Sequence, residues 1–183
     1  NHAGCLDALA ARGADLDAPY LTGHQSTPFI MSAHNDAADA ARALAARGAD
    51  VRRTNAHGAT SVAVAAALGH ADVLQVLLRV DPRGAQTVDQ NGAAPLHVAA
   101  ARGRTSSVAA LLRAGAPADA TWRGLTPIDI ARRNGHGHVV RLLATRAIDA
   151  GVSANEVTPD DAPRHLRSPM PSPCAAGAAL PTS

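Results

Sequence analysis

The sequence predicts an all-α fold in which helix–turn–helix units stack into a solenoid, and three observations predict it. A common pattern starts four times, at Thr27, Thr60, Ala94 and Thr126, in steps of 33, 34 and 32 residues. The composition is 46% hydrophobic with only one Trp, one Tyr and one Phe. Small aliphatic side chains in close contact suit packed helices. Apolar residues also recur at spacings of three and four within each copy.

Each copy opens with the signals of a short first helix. The threonine that starts three of the copies can accept a hydrogen bond as a helix cap. Pro28 and Pro127 follow at the first helical position, where proline loses no hydrogen bond. In the third copy Ala94 stands in place of the threonine, which removes roughly 1 kcal/mol of capping.

Glycine ends the first helix of three copies. Gly69, Gly103 and Gly135 can adopt the left-handed conformation that stops a helix. Asp36 replaces this glycine in the first full copy, so we expect a less settled turn there. The second helix carries an apolar stripe that only a neighbouring copy can bury. In two copies its residues are Val73, Leu74, Val76, Leu77, Leu78, and Val108, Leu111, Leu112.

The quoted residues resemble the ankyrin repeat. The openings "TPIDIARRNGH" and "APLHVAAARG", the "LL" of the second half and the closing "GAD" carry the resemblance, while "VDPRGAQTVDQNG" lacks a clean "GAD". We predict an ankyrin-repeat solenoid with hairpin-like loops over residues 1–148. Its parts are a partial repeat at 1–19 and repeats at about 20–54, 55–88, 89–120 and 121–148. The Pro/Ala/Ser-rich residues 149–183 are predicted to be a disordered tail.

The nine histidines raise the question of metal binding or catalysis. His70 and His136 follow the mid-copy glycine at the repeat period, and in the family this position ties adjacent loops by hydrogen bonds. His97 occupies the histidine position of the opening, but without the threonine hydroxyl we expect it to be less fixed. "HGH" at 136–138 resembles half of a zinc site, but no second ligand pair has fitting spacing. We therefore expect no metal and no cofactor.

Catalytic motifs are also missing from the sequence. There is no Gly-x-Ser-x-Gly turn and no glycine-rich phosphate loop before a helix. Cys5 lies at a core position of a predicted second helix, and Asp160 and Asp161 belong to the proline-rich tail. We expect no catalytic residues and no enzyme activity in this chain.

Charge and hydropathy exclude two further classes of partner. All 17 basic residues are arginine, but the net charge is only +2 and few aromatic residues are present for base stacking. We therefore do not expect nucleic acid binding. The longest weakly polar stretch, residues 61–69, is half as long as a bilayer requires. The two cysteines lie far apart, which favours a reducing, intracellular and cytoplasmic setting.

Resemblance to ankyrin repeats implies that a protein partner binds a concave surface of loop tips and first helices. The family's variable positions correspond to His24, Ser26, His34, Asn35, His57, Leu68, Gln90, Asn91, Arg102, Trp122, Arg123, Leu125, Arg133 and Asn134. Trp122 beside Arg123 has the composition of an interface hot spot. Alternatively, Trp122 only covers the edge of the neighbouring repeat. The arginine bias leads to the hypothesis of a partner patch that carries carboxylates or phosphate.

Other roles stay open. The stack is alternatively a regulatory or targeting region of a larger enzyme or channel, or it self-assembles through Cys5 and the incomplete first repeat. Ser168 and Ser172 each precede proline and are candidates for phosphorylation.

Overall fold

The computed structural model of the protein describes residues 12–20 and 25–149. Over these ranges it contains eight α-helices and one 3-10 helix, and the only β-type pairing is in isolated bridges. The α-helices are α1 Pro28–His34, α2 Ala38–Ala46, α3 Ser61–Leu68, α4 Ala71–Val80, α5 Pro95–Ala101, α6 Thr105–Arg113, α7 Pro127–Arg133 and α8 Gly137–Asp149. Cys5, His24 and the predicted tail with Ser168 and Ser172 lie outside the described residues.

The helices form two parallel rows, as the repeat predicts. The first helices α1, α3, α5 and α7 pack in sequence against one another, and so do the second helices α2, α4, α6 and α8. Each first helix also packs against the second helix that follows it. This arrangement confirms the all-α solenoid, in which each repeat is stabilised mainly by its neighbours.

The core is built from small and aliphatic side chains. Ala65 and Ala66 are fully buried and Val62 is 1% exposed, because α3 has a neighbouring first helix on both sides. Leu77, on the next helix, is fully buried as well. The predicted close contact between alanine-rich first helices is therefore present in the centre of the stack.

The predicted starts of the first helices are confirmed. Thr60 Oγ1 accepts a hydrogen bond from the backbone N–H of Ala63 at 3.3 Å, and the threonines before α1 and α7 act in the same way. Pro28 and Pro127 occupy the first helical turn. Ala94 has no side-chain cap.

The expectation that His97 is less fixed is wrong. The backbone N–H of Ala94 donates to His97 Nδ1 at 3.2 Å, and His97 Nε2 lies 2.9 Å from the carbonyl oxygen of Ala120. The side chain is only 2% exposed. The histidine ring thus satisfies the backbone N–H of Ala94, while the hydrogen bond that a threonine hydroxyl would accept from the first turn of the helix is not made by a side chain.

The predicted glycine stops are also confirmed. Gly69, Gly103 and Gly135 have φ angles of +89°, +67° and +76°, in the left-handed region. Asp36 adopts the same conformation, at φ +53°, although it has a side chain. Its carboxylate Oδ2 lies 3.6 Å from Nδ1 of His70 in the next repeat.

The segment without a clean "GAD" folds into the 3-10 helix Pro82–Gln86. Gly84 fits tightly against α3, since a Cβ there would lie 2.9 Å from Cγ2 of Val62. Asp81 caps this helix and accepts a hydrogen bond from Arg52 Nε at 2.7 Å. That hydrogen bond from Arg52 lowers the pKa of the Asp81 carboxyl below its ordinary value.

Candidate functional site

Three of the loops that lead into a first helix are fully described, those before α3, α5 and α7, and the first two share one design. Asn55 N–H donates to the carbonyl of Ala59 at 3.0 Å, and Asn55 Oδ1 accepts from the backbone N–H of His57 and Ala59. Asp89 makes the equivalent three bonds in the next loop. Each loop therefore has a three-residue tip closed by a left-handed glycine.

The third loop is one residue shorter. Trp122 and Leu125 exchange both backbone hydrogen bonds, at 2.9 and 3.0 Å, so only two residues form the tip. These residues, Arg123 and Gly124, have φ angles of +52° and +75°, the type I′ pattern that joins antiparallel strands most tightly. Left-handed backbone is unfavourable for arginine, so Arg123 is held in a strained conformation at the tip.

Neighbouring loop tips are bonded to each other. Gln90 Nε2 donates to the carbonyl of Ala56 at 3.2 Å, and Trp122 Nε1 donates to the carbonyl of Asn91 at 2.8 Å. A Cβ at Gly58 would lie 2.5 Å from Gln90 Cγ, so this approach requires glycine there. The three tips thus form a connected row rather than independent loops.

Trp122 lies against the preceding repeat. The side chain is half-buried, and its ring lies 6.3 Å from that of His97, centroid to centroid. The guanidinium of Arg123 lies 5.0 Å from the Trp122 ring centroid, within cation–π range. The contacts match the alternative that Trp122 covers the neighbouring repeat, and they leave Arg123 exposed in front of it.

The remaining predicted residues lie at or near the far ends of the first helices. His34, Leu68 and Arg133 are the last residues of α1, α3 and α7, and Asn35, Arg102 and Asn134 directly follow α1, α5 and α7. Leu68 and Arg102 are half-buried, whereas the other four are exposed. Ser26 and Leu125 are half-buried beside the helix starts. We call the surface from the loop tips to these helix ends the first-helix face.

Hydrogen bonds between repeats also run along the helix turns. His136 Nε2 lies 3.0 Å from the carbonyl oxygen of Ala101, which confirms the predicted tie between loops. One repeat earlier, Arg104 Nε donates to the carbonyl of Ala67 at 3.3 Å. Sequence reasoning missed Arg104, although it lies ten residues after Ala94 just as His136 lies ten after Thr126.

Both histidines of the "HGH" segment contact other groups of the protein. While His136 faces the Ala101 carbonyl, His138 Nδ1 lies 2.6 Å from Arg141 Nη2. Within residues 12–20 and 25–149, no group of three or more His, Cys, Asp or Glu side chains is arranged to hold a metal ion. None of the helices in these ranges is both long and apolar enough to cross a bilayer.

Comparison with known proteins agrees with the geometry. A family model described as ankyrin repeats in three copies matches residues 80–154, and another, ankyrin repeats in many copies, matches residues 9–65. The human protein named ankyrin repeat domain-containing protein 63 is 33% identical over 140 residues. That alignment covers 70% of this chain but spans only 36% of the relative. With the stacked helix pairs and the bonded loop tips, these matches show that the chain belongs to the ankyrin repeat family.

Proposed function

We propose that the chain binds a partner protein through the first-helix face, as the concave surface of the stack. Ankyrin repeats are generally protein–protein interaction modules rather than enzymes. The observation that carries the proposal is the connected row of tips, in which Gln90 and Trp122 each bond the preceding loop. A surface already fixed in this way loses little conformational entropy when it binds.

The chemistry of the face also supports a protein partner. Exposed amide, imidazole and guanidinium groups lie along it, at His34, Asn35, Asn91, Arg123 and Arg133. Such groups recognise peptide backbone and carboxylates, and arginine is enriched at the centres of protein interfaces. The division into repeats, a regulatory or targeting role in a larger protein, and a cytoplasmic location stay predictions.

A pair of matched variants tests this proposal. Asn35→Ala, Arg123→Ala and Arg133→Ala together remove exposed groups from the face. Asp72→Ala, Gln75→Ala and Arg79→Ala remove exposed groups from the second helix α4. We expect affinity capture from lysate followed by mass spectrometry to show roughly tenfold less partner protein with the first variant, since several interface contacts are lost.

The second variant should capture as much as the unaltered chain. Thermal melts followed by circular dichroism establish that both variants are folded. Equal recovery of the same proteins by all three chains would show that binding takes place elsewhere.

A further inference from the structure

We propose that the C-terminal half of the first-helix face binds an extended, acidic segment of the partner protein. The segment would carry carboxylates about four residues apart, a spacing that follows from the rise of an extended chain. The inference rests on the proposed function, because it concerns the same face. The inference adds to the proposed function the chemistry of the bound segment and the part of the face that the segment occupies.

Three arginines give this half of the face its charge. Arg102, Arg123 and Arg133 lie there, and among the described residues none of them pairs with a carboxylate. Three other arginines do pair with carboxylates, in Arg42–Asp39, in Arg52–Asp81 and, on α7 itself, in Arg132–Asp129. The residues assigned to the other half of the face, Ser26, His34, Asn35, His57 and Leu68, include no arginine. The positive charge is thus concentrated at one end.

Arg123 is held ready for a ligand. Its guanidinium lies against the Trp122 ring, which is itself anchored by a hydrogen bond to the Asn91 carbonyl. The left-handed backbone at φ +52° places it at the tip of the turn, where the side chain is exposed. A guanidinium fork in this position can bind a carboxylate through two parallel hydrogen bonds.

The second and third arginines lie at the other end of the first helices. Arg133 is the last residue of α7, and Arg102 directly follows α5, which packs against α7. The length of α7, seven residues, places Arg133 about 10 Å from the start of the helix. An extended chain covers this distance in roughly three residues, and because Arg123 lies in the loop before the helix start, the spacing increases to about four residues.

The favoured ligand therefore has one carboxylate on Arg123 and another near Arg102 and Arg133. Attraction between helix C-termini and cations favours arginine at the ends of α5 and α7 without any ligand. It does not account for Arg123, which is at a loop tip in a conformation that costs free energy. The coincidence of all three on one half of the face points to recognition of an acidic segment.

Selection from a library of random dodecapeptides on the full chain tests the proposal. We expect the enriched peptides to carry paired Asp or Glu residues about four positions apart. Binding of these peptides should weaken roughly tenfold when Arg123→Ala and Arg133→Ala are combined, since each charge-assisted hydrogen bond contributes strongly. It should also weaken several-fold between low salt and about 0.3 M NaCl.

A matched variant, Arg79→Ala with Arg113→Ala, removes the same charge from two second helices and should leave binding unchanged. An equal loss of peptide affinity in this control would show that binding depends only on the net charge of the chain, and it would overturn the proposal. The proposal would also be overturned if a random single-stranded DNA dodecamer bound the same arginines more tightly than the acidic peptides do. A tenfold gain in peptide affinity after Glu156→Gln, Asp160→Asn and Asp161→Asn would instead assign the surface to the chain's own acidic residues.

The proposal and the function on which it rests fail in different ways. The enriched peptides could instead lack acidic pairs and lose binding when His34→Ala and Asn35→Ala are combined. That result would overturn the acidic ligand and leave the proposed function intact. If the enriched peptides bind both face variants and the Arg79/Arg113 variant equally well, both are wrong. If no peptide is enriched, the acidic segment is wrong, and the capture experiment decides the proposed function.

Discussion

At the scale of single residues, the ring of His97 is held through both of its nitrogens. Because the Ala94 N–H donates to Nδ1, the proton of the neutral ring is on Nε2, which donates to the Ala120 carbonyl. These two bonds join the start of α5 to the loop before α7. Burial lowers the pKa of His97, because a charged imidazolium would lose solvation in the core.

This arrangement predicts that acid destabilises the stack. The unfolded chain protonates His97 at about pH 6.5, whereas the folded ring resists protonation until a lower pH. The contribution of His97 to the free energy of unfolding is therefore complete above about pH 6.5 and declines below it. Urea unfolding at several pH values should show this decline, and His97→Gln should reduce it. The exposed His34→Gln variant is the control; if it and His97→Gln flattened the profile equally, another group would be responsible.

Arg123 is a second residue whose role depends on its conformation. It takes a left-handed backbone that asparagine or glycine would adopt at lower cost. Cation–π contact with Trp122 offsets part of this cost. Strain of this kind is common at binding sites, which is consistent with the proposed role of Arg123 in the face.

At the scale of elements, the turn between the two helices of a repeat is also a contact with the next repeat. A Cβ at Gly103 would lie 2.6 Å from His136 Nδ1, whereas a Cβ at Gly135 would meet nothing within 4 Å. Both glycines have similar positive φ angles, +67° and +76°. Glycine is therefore required at Gly103 both by the positive φ angle and by the contact with His136, and at Gly135 by the positive φ angle alone.

Substitution by alanine should separate the two reasons. We expect Gly135→Ala to lower the free energy of unfolding by about 1 kcal/mol, the cost of a left-handed alanine. Gly103→Ala should lower it by roughly 1–2 kcal/mol more, because His136 must move away from the Ala101 carbonyl. Urea denaturation of both variants measures the difference. Equal losses would mean that the contact with His136 adds no stability.

At the scale of the whole molecule, stability depends on how many neighbours a repeat has. Among the described residues, α3 and α5 each have a first helix on both sides, while α7 and α8 have helical neighbours on one side only. In a stack of this kind, each repeat is stabilised by its own contacts and by those of its immediate neighbours. The last helix pair therefore buries less of its surface than the central ones.

Hydrogen exchange should reveal this gradient. Amides of α8 should exchange at least roughly tenfold faster than those of α3 and α5, because local opening of the last pair disrupts only one interface between repeats. Mass spectrometry of the exchanged chain after pepsin digestion gives the rates segment by segment. Uniform protection from α3 to α8 would show that the stack unfolds as one cooperative unit and would contradict the prediction.

Much of the fold was accessible from the sequence because it depends on local chemistry. The threonine caps, the prolines after them and the left-handed glycines each act within a few residues. Together with the period they specify the helix pairs and their order. The candidate face followed from the same register, so the sequence also placed Asn91, Arg123 and Arg133 at loop tips and helix ends.

Only the tertiary structure decided what the interrepeat contacts are. Arg104 takes the position of a histidine and bonds the Ala67 carbonyl, the ring of His97 joins the Ala94 N–H to the Ala120 carbonyl, and Trp122 supports Arg123. The bond from Arg104 to the preceding repeat and the bond from His97 to the loop before α7 join residues 37 and 23 positions apart in the chain. The sequence by itself determined the repeat, because caps, stops and periodicity are local. Which side chains meet across the stack depends on how the repeats pack, and the sequence pattern does not contain that information.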